Sequence, residues 1–111
     1  MPIRFNLNGV FYEEDGLPPT TSVLDYLRKH QGKTGTKEGC AEGDCGACTI
    51  VLAREDESGN AIYEAVNSCL LMLPQLDGAN VVTVEGIAAA DTLDPVQAAM
   101  VETDGTQCGF C

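Results

Sequence analysis

The sequence predicts an α+β fold in which about five short strands enclose one packed helix. Three observations carry that expectation. Two pairs of strand-like stretches each fold back on themselves, a capped apolar segment follows a double proline, and a glycine-rich stretch between them suits neither helix nor strand.

Ile3, Phe5 and Leu7 alternate with Arg4, Asn6 and Asn8, the period of a half-buried strand. Asn8-Gly9 then separates Leu7 from Val10-Phe11-Tyr12. Both central residues of a type I′ turn need positive φ, so the chain is expected to open as a β-hairpin. After Pro18-Pro19, Thr20, Thr21 or Ser22 can cap a helix that places Val23, Leu24 and Leu27 on one face and ends near Gln31-Gly32. Residues 32–48 contain five glycines in seventeen positions, which makes them a loop. Residues 49–53 and 61–66 read as a second hairpin around a polar connection, and residues 80–85 as a further β-branched strand. Asp94-Pro95 caps and starts a last helix with Val96, Ala99 and Met100 on its apolar face, and Gly105 is expected to close it.

Composition bounds the function. Hydrophobic residues at 44% and charged residues at 21% are those of an ordinary globular domain, and 111 residues suffice for one modest core. A formal charge of -11 repels phosphate backbones and anionic lipid, so nucleic acid is not an expected partner. No apolar run approaches the roughly 18 residues of a membrane span, and no basic leader precedes the first strand. The expected setting is soluble and cytoplasmic, where clustered thiols point to metal or redox chemistry more than to disulfides.

Six cysteines carry the chemistry. Cys40, Cys45 and Cys48 follow C-x4-C-x2-C, and Cys69 lies further along. That is the spacing of plant-type ferredoxins, in which four thiolates hold one 2Fe–2S cluster. Two bridged irons need their thiolates in tetrahedral pairs, and three ligands from one loop demand a backbone that turns back on itself. Gly39, Gly43 and Gly46 stand where a Cβ would obstruct that turn, and amides there can point at sulfur. Glu38, Glu42 and Asp44 act against the added negative charge of a reduced cluster. Structural zinc is the main rival, but zinc sites favour two short C-x2-C pairs and only one lies among these four; a disulfide scaffold suits an exported protein better. Cys108 and Cys111 form a further C-x2-C, which by itself is a redox dithiol, half of a metal site, or the cut edge of a longer protein. Of these the cut edge is the favoured reading. His30 at a helix end, Met72 and Met100 as core fillers, and Lys33-Thr34-Gly35-Thr36 as an incomplete phosphate loop receive no ligand role.

The segments Thr34-Gly-Thr-Lys-Glu-Gly-Cys40, Ala41-Glu-Gly-Asp-Cys45-Gly-Ala-Cys48-Thr49 and Gln107-Cys-Gly-Phe-Cys111 resemble the iron–sulfur part of the molybdenum hydroxylases. Asn67-Ser-Cys69-Leu, Leu73-Pro-Gln-Leu-Asp-Gly78 and Pro95-Val-Gln-Ala-Ala-Met100 are most similar to the small subunit of the bacterial xanthine dehydrogenases. The resemblance implies a β-grasp, ferredoxin-like domain over residues 1–88 with Cys40, Cys45, Cys48 and Cys69 as cluster ligands. It further implies that residues 89–111 begin a truncated helical domain, in which Cys108 and Cys111 are the first ligands of a second 2Fe–2S cluster and Gln107 lies near molybdopterin. The implied role is relay of single electrons between the molybdenum cofactor and FAD, with the molybdenum subunit and the flavin domain as partners and no catalysis by this chain alone. A free-standing ferredoxin shuttle is the alternative reading of the same four cysteines.

Overall fold

A computed structural model describes residues 2–87, 92–103 and 105. Ile3–Leu7 (β1) and Val10–Glu14 (β2) form the expected hairpin, with Leu7 opposite Val10 and with Asn8 (φ 49°) and Gly9 (φ 83°) supplying the two left-handed turn residues. Thr49–Glu55 (β3) and Ala61–Asn67 (β4) form the second hairpin, slightly longer than the sequence indicated. Asn80–Val82 (β5) joins the two hairpins by pairing parallel to β1 and antiparallel to β3. The result is one mixed sheet in the order β2-β1-β5-β3-β4, the β-grasp arrangement.

Ser22 is the residue that caps the helix, accepting the Asp25 N–H on its hydroxyl at 3.1 Å. Val23–Asp25 (α1) runs on into a π-helical turn, Tyr26–His30. The wider turn seats Gln31 over Tyr26: the Gln31 N–H donates to the Tyr26 carbonyl at 3.0 Å and its Nε2 to the Tyr26 hydroxyl at 2.8 Å. That hydroxyl in turn donates to Glu14 at 2.8 Å, tying the helix to β2. Val23, Leu24 and Leu27 are all buried, as their spacing required. Val23 and Leu27, together with Tyr26, meet Phe5, Leu7, Ile50, Leu52 and Val81 from one face of the sheet, and a 3-10 turn, Leu73–Leu76, closes the core with two fully buried leucines. Each such leucine contributes ~1.5–3 kcal/mol by leaving water.

Two expectations need correction. The strand expected over residues 80–85 stops at Val82, because the Asn8 side chain captures Thr83 on both its N–H and its hydroxyl at 2.9 Å. Val84–Gly86 then forms a 3-10 turn. Pro95–Glu102 (α2) is capped by Asp94 as expected, and Gly105 donates its N–H to Met100 at the far end. Its apolar side chains, however, are not buried: Val96 is 70% exposed and Met100, expected as a core filler, 41%. Gln97 secures the helix by donating to the Val84 carbonyl at 2.8 Å. Among the described residues no helix is long and apolar enough to cross a membrane.

Candidate metal centre

The register of the second hairpin decides where two of the four thiols go. Its ladder ends at Thr49 opposite Asn67. Ser68 carries the pairing one step further, donating its N–H at 3.3 Å and its hydroxyl at 2.7 Å to the Cys48 carbonyl. Cys48 and Cys69, far apart in sequence, are thereby brought close enough for each thiol to act on the other.

The glycine-rich loop supplies the other two. Ala41 (φ 57°) and Gly43 (φ 80°) both adopt left-handed backbone, which is uncommon for alanine, and the chain curls around Cys40. The Cys40 Sγ receives the N–H groups of Asp44 at 3.1 Å, Cys45 at 3.2 Å and Glu42 at 3.4 Å. The Cys45 Sγ receives those of Cys40 at 3.3 Å and Ala47 at 3.4 Å. Amides do point at sulfur, therefore, but these five come from residues beside the glycines. Gly39 serves close approach instead, since a Cβ there would stand 2.5 Å from the Cys45 Sγ.

Electrostatics follows from this geometry. The N–H groups of Glu42, Cys45 and Asp44 favour the thiolate and lower the Cys40 thiol to about 7. Desolvation, followed by the hydrogen bond with Cys48, pushes the Cys69 thiol up, and the Gly43 N–H offsets part of that rise. Cys48 is buried, Cys40 and Cys69 are half-buried, and Cys45 is exposed beside a cleft of about 380 Å³ that Lys37, Ala47 and Val84 help to line.

The four thiols thus fall into two pairs, Cys40 with Cys45 and Cys48 with Cys69, with Cys69 close enough to feel Cys40 as well. Among the described residues no three His, Cys, Asp or Glu side chains converge as a single ion would need. Two irons bridged by sulfide need that division, two thiolates to each, and inward N–H groups suit an anionic group. The residues present therefore fit a 2Fe–2S cluster.

Other candidates stand apart from the centre. His30 is exposed and stacks on Tyr26, with ring centroids 6.1 Å apart. The faint phosphate loop is closed from within: Glu85 takes the Gly35 N–H at 2.8 Å, and Arg28 and Lys37 occupy the Thr34 carbonyl. Gln107, Cys108 and Cys111 lie outside the described residues. Sequence reasoning missed Ser68 and Asn67, whose Nδ2 donates to the Gly43 carbonyl at 3.2 Å. A serine or asparagine near a cysteine is too common to signal such a role.

Comparison with known proteins agrees with this geometry. A family model described as a 2Fe-2S iron-sulfur cluster binding domain matches residues 5–73, and another described as a 2Fe-2S binding domain matches residues 83–111. The xanthine dehydrogenase of Blastobotrys adeninivorans is 46% identical over 110 residues, and a probable aldehyde oxidase of Caenorhabditis elegans 44% over 110. Each alignment covers 98% of this chain, which spans only 8% and 9% of those relatives. The crystal structure of quinoline 2-oxidoreductase from Pseudomonas putida 86 superposes with a TM-score of 0.80 at 33% identity, covering 100% of this chain and 62% of the other.

Proposed function

The chain belongs to the 2Fe-2S iron-sulfur cluster binding domain family, and we propose that Cys40, Cys45, Cys48 and Cys69 hold its cluster as the ligand set of an electron-transfer module. The observation that carries this is the pairing of the four thiols beneath convergent N–H donors. A bound 2Fe–2S cluster supplies one-electron chemistry.

The protein's own residues set the conditions for that chemistry. N–H groups aimed at Cys40 and Cys45 favour added negative charge, while Glu42 and Asp44 on the same loop oppose it. Burial of Cys48 keeps water from one side, whereas exposure of Cys45 leaves the other side open to a redox partner.

The relatives support a more specific role: relay of single electrons between a molybdenum centre and a flavin within a xanthine dehydrogenase-like oxidoreductase. On that reading residues 1–88 form the ferredoxin-like domain and residues 89–111 begin a helical one. Cys108 and Cys111 there contribute to a second 2Fe–2S site, and Gln107 lies near the pterin. The partners are the molybdenum subunit and the flavin domain of one enzyme, working in the cytoplasm. A free-standing ferredoxin shuttle finds no support, because the similarity extends through residues 83–111 to proteins far longer than this chain.

The test is metal analysis of the purified chain. The expected result is near two irons and two sulfides per chain, a red-brown colour, and a rhombic S = 1/2 signal on reduction, with Cys69→Ser losing most of the iron. One zinc in a colourless protein, or undiminished iron in Cys69→Ser, would overturn the assignment.

A further inference from the structure

One peptide unit joins the two halves of the thiol site. Gly43 belongs to the loop that carries Cys40 and Cys45, yet its carbonyl is held by Asn67, the last residue of β4 and the near neighbour of Cys69. Asn67 has three attachments at this point. Its backbone closes the ladder opposite Thr49, next to Cys48. Its carbonyl accepts the Leu70 N–H at 3.1 Å, forming the turn that contains Cys69. Its side-chain amide reaches across to the loop.

We propose that Asn67 is a positioning residue that fixes the Gly43–Asp44 peptide against Cys40 and thereby helps set the reduction potential of the cluster. This rests on the cluster assignment above. The Gly43 carbonyl and the Asp44 N–H share one rigid peptide plane, so holding the carbonyl from one side fixes the direction in which that N–H points. That N–H donates to the Cys40 Sγ at 3.1 Å, the shortest of the three N–H contacts on that sulfur. A carbonyl that accepts a hydrogen bond also polarises the chain of bonds it belongs to. Hydrogen bonds to cluster sulfur favour the reduced, more negative state and raise its potential.

Packing and hydrogen bonding at this peptide are separable. Leu70, 56% exposed, lies directly over the Gly43 Cα, where any Cβ would collide with it. Truncating Leu70 loosens the contact and leaves the Asn67 amide in place. Truncating Asn67 does the reverse.

The experiment compares the wild-type chain, Asn67→Ala, Asn67→Asp and Leu70→Ala by iron content, redox titration and the rate of bleaching by a ferrous chelator. Asp is the same size as Asn and cannot donate, so it keeps the site filled if Ala disturbs folding. The expected outcome is a more negative midpoint in both Asn67 variants and bleaching about fivefold faster, the scale of one lost hydrogen bond. Leu70→Ala should keep the wild-type midpoint. An unmoved midpoint in the Asn67 variants overturns the proposal, and so does an equal shift in Leu70→Ala, which would assign the effect to packing. Iron loss in both Asn67 variants with an unchanged melting temperature of the metal-free chain supports a positioning role at the thiols; iron loss with a collapsed melting temperature refutes it. A wild-type chain without iron would instead sink the cluster assignment itself.

Discussion

Gly39→Ala separates the demands of the thiol site from those of the fold. Gly39 is exposed, and an added methyl would stand 2.5 Å from the Cys45 Sγ, 3.5 Å from its Cβ and 3.6 Å from the Ala47 Cβ. Carbon and sulfur in contact need more than 3.5 Å, so relief requires the Cys45 Sγ to retreat by about 1 Å. Metal sites tolerate departures of only about 0.2 Å in ligand distance, so a shift of that size uncouples Cys45 from Cys40 as a chelating pair. It also stretches the Cys40 N–H contact on the Cys45 Sγ, now 3.3 Å. The hydrophobic core lies elsewhere, and no core side chain touches the new methyl. The metal-free variant should therefore melt within about 2 °C of wild type, as surface changes do, while retaining less than about half of the iron after one chelator challenge. Gly59→Ala is the converse control. Gly59 sits at φ 82° in the β3–β4 turn with open space around it, so alanine costs ~1–2 kcal/mol of stability and leaves iron retention alone. Full iron retention in Gly39→Ala, with the wild-type absorption spectrum, would refute the close-approach argument.

Two further outcomes are expected. Tyr26→Phe removes a fully buried hydroxyl that donates to Glu14 and accepts from Gln31, and should lower stability by ~1–2 kcal/mol, read as a drop of ~4–8 °C in melting temperature per kcal/mol. Glu85 is pushed up by desolvation, but the Thr83 hydroxyl, the Gly35 N–H and Lys33 outweigh this and hold its carboxyl below the usual range. A lowered folded value means that its contribution is complete above the unfolded value of about 4.3 and is lost as pH falls through the folded one. Glu85→Gln should therefore flatten the decline of stability below about pH 4.3, measured by denaturant titration; an acid limb identical to wild type would show that the network does not stabilise the fold.

Both hairpins were legible because their signals are local. Asn8-Gly9 determines the turn that brings Leu7 opposite Val10, and alternation along Ile3, Phe5 and Leu7 determines which face is buried. Strand β5 was only partly legible, because what ends it is the Asn8 side chain from the opposite end of the domain. Helix α2 shows the opposite failure. Its cap, its proline and its stop were all readable, but whether Val96 and Met100 find a partner surface is not a local property.

The sequence by itself supplied the candidate set of thiols, since C-x4-C-x2-C and a later cysteine restrict which metal groups fit, and it determined the looseness of the loop through its glycines. Only tertiary structure decided how those thiols divide. Cys48 meets Cys69 because of the register of a seven-residue ladder, and Cys40 meets Cys45 because backbone amides of Glu42, Asp44 and Ala47 turn inward. Pairing of strands and the direction of an N–H depend on contacts between distant residues, which spacing along the chain does not encode.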